Sequence, residues 1–247
     1  MFFQADPGTS WAGSIAACME YPHNRPYTAD DLVRIITLLR DPVNGCPWDK
    51  VQTHTSIRMN FLEEAYEAVD ALDLDDPVLM CEELGDVLIQ VAFHTCMEQE
   101  TGRFTWEQVC DGVCQKLIER HPNIFGTQPG YEGITDWDAL KNKEKGRRTL
   151  ADDLESVPRA MPALMRAAKL QKRAARHGAA LQGADAAALA DAAENLQTAQ
   201  PASAQAEQAV GELLFAAANL ARQAGVDPEQ ALQKANEAFC TAAGPVA

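Results

Sequence analysis

The stretch FLEEAYEAVDALDLDDPVLMCEELGDVLIQVAFH, residues 61–94, gathers carboxylates on either side of a turn. Within EEAYE, Glu64 and Glu67 are three apart, which makes them neighbours on one face of a helix, with Glu63 beside them. Within EELGD, Glu83 and Asp86 repeat that spacing. Val87, Leu88, Ile89, Val91, Ala92 and Phe93 follow at once and point in nearly every direction around a helix axis. So apolar a helix is expected to be buried on most sides, and its two carboxylates enter the interior with it. Like charges crowded between two helices repel, and each is costly to take out of water without a partner. No ladder of lysines stands at matching positions. A divalent cation is the remaining solution, and hard oxygen ligands on two facing helices suit Mg²⁺ or Mn²⁺. Glu64, Glu67, Glu83 and Asp86 are therefore the candidate ligands. Glu63 reads equally well as a solvated surface acid, and Asp70, Asp73 and Asp75 read as surface. A di-iron centre would need Glu-x-x-His on paired helices; that spacing occurs at Glu20–His23, where Pro22 interrupts it.

The elements that must position these groups are helices. TADDLVRIITLLR starts with a Thr28/Asp31 capping box and carries a helical apolar rhythm at Leu32, Ile35, Ile36 and Leu39. DPVNGCPWDK breaks it with two prolines and a glycine, and Trp48 and Asp49 are expected to close that loop onto the bundle. A long helix is predicted from about Thr53 to Leu74, with Leu62, Ala65, Tyr66, Val69 and Leu72 as its apolar face. A third runs from Pro77 to about Glu100, and a fourth covers TWEQVCDGVCQKLIERH. WDALKNKEKGRR reads as a short basic helix, and further helices fill the second half of the chain. Strand-like alternation is nearly absent. The fold class is all-α.

Composition agrees. Apolar residues make up 47% of the 247 residues and aromatics 6%, rich in Ala, Leu and Val, which favours helix. A net charge of −15 excludes the basic footprint of nucleic-acid binding, and no apolar run approaches a membrane span. Seven cysteines without a CxxC pair suit core positions in a reducing cytoplasm. Residues 1–24 are expected to be a flexible tail and a poor signal peptide, since they lack a basic start. Residues 25–148 form the first helical unit. Residues 149–162, with Pro158 and Pro162, read as a linker, and 163–247 as a second unit.

EEAYE followed by EELGD resembles the EExxE…ExxD signature of the MazG-type nucleoside triphosphate pyrophosphohydrolases. LLRDPVNGCPWDKVQTH, GRFTWEQV, KLIERHPNIFG, WDALKNKEK and MPALMRAAKLQKRAARHG are similar to MazG segments in MazG order. The resemblance implies tandem all-α units that dimerise to build their sites. It implies Mg²⁺-dependent attack of water on the α–β linkage of a nucleoside triphosphate, releasing the monophosphate and pyrophosphate. By motif, Glu64, Glu67, Glu83 and Asp86 are the metal ligands, and Glu63 orients water or a ligand. An anionic substrate on so acidic a chain needs cations as well. Lys116 and Arg120, and Lys141 and Lys145, are the i,i+4 pairs available, either for phosphates or as ordinary surface charge. Trp137 either stacks on a base or pins its helix. A narrower phosphohydrolase, of deoxynucleotides or an alarmone, and a non-catalytic dimeric regulator are the alternatives.

An internal repeat marks the second unit as a shortened copy. ELGDVLIQVAFH (83–94) aligns with AVGELLFAAANL (209–220), and TWEQVCDGVCQK (105–116) with DPEQALQKANEA (227–238). Glu83 then corresponds to Ala209, Asp86 to Glu212 and Lys116 to Ala238, while Asp191 and Glu194 are what is left of the upstream acids. The copy is expected to have lost the chemistry and kept the packing.

Overall fold

The computed structural model describes residues 20–23, 25–122, 124–126, 145–146 and 149–244. Among these there are helices and turns and no strand, and the chain divides into two compact units, Met1–Gly133 and Ile134–Ala247. No described helix is long and apolar enough to cross a membrane. Most of the expected tail, and most of the short basic helix with Trp137 and Lys141, lie outside the described residues.

In the first unit, α1 (Ala29–Leu39) opens on a capping box in which Thr28 accepts from the Asp31 amide and the Asp31 carboxylate accepts from the Thr28 amide. The loop that follows holds a short 3₁₀ turn, Asp49–Val51. Arg40 closes this loop: its Nη1 donates to the carbonyls of Asp49 at 2.8 Å and Gln52 at 3.2 Å. Its Nε pairs with Glu100, and its guanidinium lies over the Phe93 ring. Trp48, expected to do this closing, keeps 45% of its surface exposed. A cation that can serve two carbonyls, a carboxylate and a ring is better suited to the task than an indole with a single donor.

Helix α2 (His54–Asp73) begins at the Thr53 cap, and α3 (Pro77–Glu100) at Asp76, whose carboxylate accepts from the Val78 and Leu79 amides. Only Leu74–Asp76 separate the two helices, with Asp75 in the left-handed region at φ 53. So short a turn folds them into an antiparallel hairpin. Helix α4 (Trp106–Arg120) starts at a Thr105/Gln108 box. The core sits at one end of the hairpin, where Ile36, Ile57, Ala92, Phe93, Cys96, Met97 and Trp106 meet.

Two expectations are corrected here. The first half of α3 is not enclosed within the chain, since Leu84, Leu88 and Ile89 remain exposed and full burial begins at Ala92. On α2 the packed side is Ile57, Ala68 and Ala71 with half-buried Phe61 and Glu64, whereas Tyr66, Val69 and Leu72 face outward. Small alanines let the two helices approach closely, and the bulkier stripe is left for another surface.

The second unit contains α5 (Leu150–Glu155), α6 (Ala163–Arg176), α7 (Ala186–Thr198), α8 (Ala204–Gln223) and α9 (Pro228–Ala243). Helix α8 packs against α6, α7 and α9, and α5 packs on α6. Residues 149–162 thus hold a packed helix, where the prolines suggest a linker. Asp153 of α5 is 1% exposed and binds Arg173 at 3.0 Å, His177 at 3.2 Å and Arg176 at 3.6 Å. Val157 is buried beside it in sequence. Pro158 follows the end of α5 and Pro162 caps the start of α6, and the buried Asp153 and Val157 both precede Pro158.

Candidate active site

The hairpin register decides which acids meet. Glu64 lies on the side of α2 turned to α3, between Phe61 and Ala68 in the packed row. Glu83 and Asp86 lie on the opposing stretch of α3. One carboxylate oxygen from each of Glu64, Glu83 and Asp86 falls within 4.8 Å of the others, and all three side chains are half-buried. No hydrogen-bond partner reaches Glu83 Oε2, which is buried.

The electrostatics record the crowding. Burial, then Asp86, Glu67, Glu63 and Glu83, all push the Glu64 carboxyl above its ordinary value. Burial, then Glu67, Asp86 and Glu82, push Glu83 the same way. Glu67 is thus near enough to act on both acids, although it stands outside the triad of converging oxygens. Glu63 is exposed on the flank of α2. A buried oxygen without a donor, facing two further carboxylates, is a donor set that fits a hard divalent cation.

The cations are placed less tightly. Lys116 is exposed on α4, Arg120 is half-buried in the last turn of that helix, and Lys145 is exposed. Trp137 and Lys141 lie outside the described residues. In the second unit the Glu212 carboxylate accepts from Gln208 Nε2 at 2.8 Å, and Ala209 is buried. Among the described residues no cluster like that of Glu64, Glu83 and Asp86 forms around Asp191, Glu194 or Glu212.

One polar group has no forewarning in the sequence. His54 at the start of α2 lies between His94 and Glu98 of α3, with Nδ1 2.7 Å from His94 Nδ1 and Nε2 2.6 Å from Glu98 Oε1. Arg103 completes the row, its Nε 2.6 Å from Glu98 Oε2. His54, His94 and Glu98 line an open depression of about 450 Å³ with Phe61, Val91, Thr95, Phe104 and Val109. The histidines are forty positions apart, and nothing short of the hairpin register pairs them.

The MazG nucleotide pyrophosphohydrolase domain matches residues 52–125, the span that carries the carboxylate hairpin. The nucleoside triphosphate pyrophosphohydrolase of Escherichia coli K12 is 41% identical over 219 residues, covering 85% of this chain and 83% of the relative. The nucleoside triphosphate pyrophosphohydrolase/pyrophosphatase MazG of Thermotoga maritima is 39% identical over 212 residues, covering 85% and 82%. In Mycobacterium tuberculosis a nucleoside triphosphate pyrophosphohydrolase is 35% identical over 151 residues, 60% of this chain and 46% of that protein. An all-α hairpin of this kind, matched over most of both chains, defines a hydrolase class. The chain belongs to the MazG nucleotide pyrophosphohydrolase family.

Proposed function

We propose that this protein hydrolyses nucleoside triphosphates to the monophosphate and pyrophosphate, and that the first helical unit carries the reaction. The observation that supports it most is the convergence of Glu64, Glu83 and Asp86, with the Glu83 oxygen buried and unpartnered. In this reading those three residues, joined by Glu67, hold Mg²⁺, with Mn²⁺ as a substitute. The bound ion supplies neutralisation of phosphate charge and a place for the attacking water.

The chain's own groups do the rest. Burial and the neighbouring carboxylates hold Glu64 and Glu83 above their ordinary values, and pairing these half-buried acids with a cation adds little further desolvation cost, so the ligands are preorganised. Glu63, exposed beside Glu64, accepts a hydrogen bond from water and orients it. Water adds at the α-phosphorus, the bridging P–O bond to the β-phosphate breaks, and pyrophosphate leaves. Lys116, Arg120, Lys141 and Lys145 are assigned to the phosphates and Trp137 to the base. Residues 25–148 are assigned to the catalytic unit, and residues 163–247 to a degenerate tandem copy that supplies packing. The exposed apolar stripe of α2 and α3 is assigned to a homodimer. Free cysteines suit a cytoplasmic setting, where removal of unwanted nucleotides is the natural role.

The test is a panel of normal and damaged nucleoside triphosphates with millimolar Mg²⁺ or with EDTA, with products separated. Monophosphate and pyrophosphate formed only with the metal are the expected result. Diphosphate and inorganic phosphate, or turnover unchanged in EDTA, would contradict the reading.

A further inference from the structure

We propose that His54 and His94 form a one-proton latch that fastens the start of α2 to α3 and opens when the pair takes up a second extra proton. Two imidazole nitrogens 2.7 Å apart must share a single hydrogen. Glu98 is 8% exposed and is held by Arg103 through two contacts, Nε to Oε2 at 2.6 Å and Nη2 to Oε1 at 2.7 Å. Its Oε1 also lies 2.6 Å from His54 Nε2, placed to accept a hydrogen bond from that nitrogen.

The proton positions follow from these contacts. With both rings neutral, His54 carries its hydrogen on Nε2, leaving Nδ1 bare, and His94 donates from Nδ1. With one proton added from solvent, His54 becomes an imidazolium and donates from both nitrogens. The bare Nδ1 of His94 then accepts, and its hydrogen moves to Nε2. A second added proton sets N–H against N–H at 2.7 Å, and the bond between the helices is lost.

The charged groups facing the pair are Glu98 of α3 and Arg103 of the turn beyond it. The rest of the surrounding depression, Phe61 of α2, Val91 and Thr95 of α3, Phe104 and Val109, carries no charge. The Phe61 ring, 6.0 Å from that of His94, keeps the site partly dry. Burial and then His54 hold the His94 ring below its ordinary value, against the pull of Glu98. Since the unfolded chain takes up that proton first, the latch contributes fully above about pH 6.5 and is lost as pH falls towards the folded value.

Ring-nitrogen NMR of the full chain labelled with ¹⁵N-histidine tests this. The expected spectra at about pH 8 show an Nε2–H tautomer for His54 and an Nδ1–H tautomer for His94. On acidification the two protons should enter in steps separated by more than about one pH unit, as coupled sites do. Two rings titrating independently near the ordinary value, or both in the same tautomer at high pH, would overturn the proposal. His94→Phe keeps a ring on Phe61 and removes the shared hydrogen. The fall in Tm between about pH 7.5 and 5.5 should then shrink by roughly 2–4 °C relative to wild type. An unchanged fall would count against the latch, and if that variant does not fold, the wild-type spectra decide alone.

Discussion

Glu83 is the side chain at which a small chemical change should have the largest consequence. Gln in its place keeps the shape and deletes a negative oxygen from a buried position that has no other partner. We expect Glu83→Gln to lower pyrophosphate release by about a hundredfold or more, the scale of losing a major electrostatic contribution. Near-normal turnover at saturating Mg²⁺, with unchanged circular dichroism, would remove Glu83 from the site. At this scale the acids were legible because i,i+3 spacing is a property of the helix itself, readable before any partner is known. Their meeting was less so. Glu64 joins Glu83 and Asp86 because it falls in the row of α2 turned to α3, while Glu67, three residues on, stands just outside the converging oxygens. The His54–His94 contact was invisible for the same reason in stronger form, since each histidine alone is indistinguishable from an ordinary surface or core residue.

Among the elements, the loop between α1 and α2 shows how tightly the entrance to the hairpin is set. A Cβ on Gly45 would stand 2.4 Å from the Asp41 carbonyl oxygen and 2.5 Å from that of Leu39, both backbone atoms that cannot swing aside. Gly45→Ala should therefore destabilise the protein by about 1–3 kcal/mol, as forced overpacking does. A lowered urea midpoint checks it, and an unchanged midpoint would mean the loop relaxes freely. The helices themselves were readable from caps and breakers: α3 starts at Pro77 behind Asp76 as those residue types dictate. Which face of α2 packs inward was not. Tyr66, Val69 and Leu72 make the stronger apolar stripe, yet Ala68 and Ala71 are the residues buried, because close helix approach rewards small side chains. Asp153 reverses the usual expectation in the other direction, a carboxylate buried by two arginines and a histidine that lie more than nineteen positions away.

For the whole molecule, the outward stripe of Tyr66, Val69 and Leu72 with Leu84 and Leu88 needs a partner, and a second copy is the one proposed. Val69→Asp would place a charge in that surface. Light scattering after size exclusion should give a dimer mass for wild type and a mass shifted towards monomer for the variant; a monomeric wild type would refute the assignment. The central claim is that the first unit catalyses and the second does not, and it is tested most directly by paired substitutions. In the first unit Glu64 and Glu67 are changed together to Gln, and in the second Glu194 and Glu212, with pyrophosphate release from a nucleoside triphosphate measured in Mg²⁺. The first pair should abolish release, while the second should leave it within about threefold, well under 1 kcal/mol of barrier. Activity that survives the loss of Glu64 and Glu67 but falls with Glu194 and Glu212 would contradict that claim and move the site into the second unit.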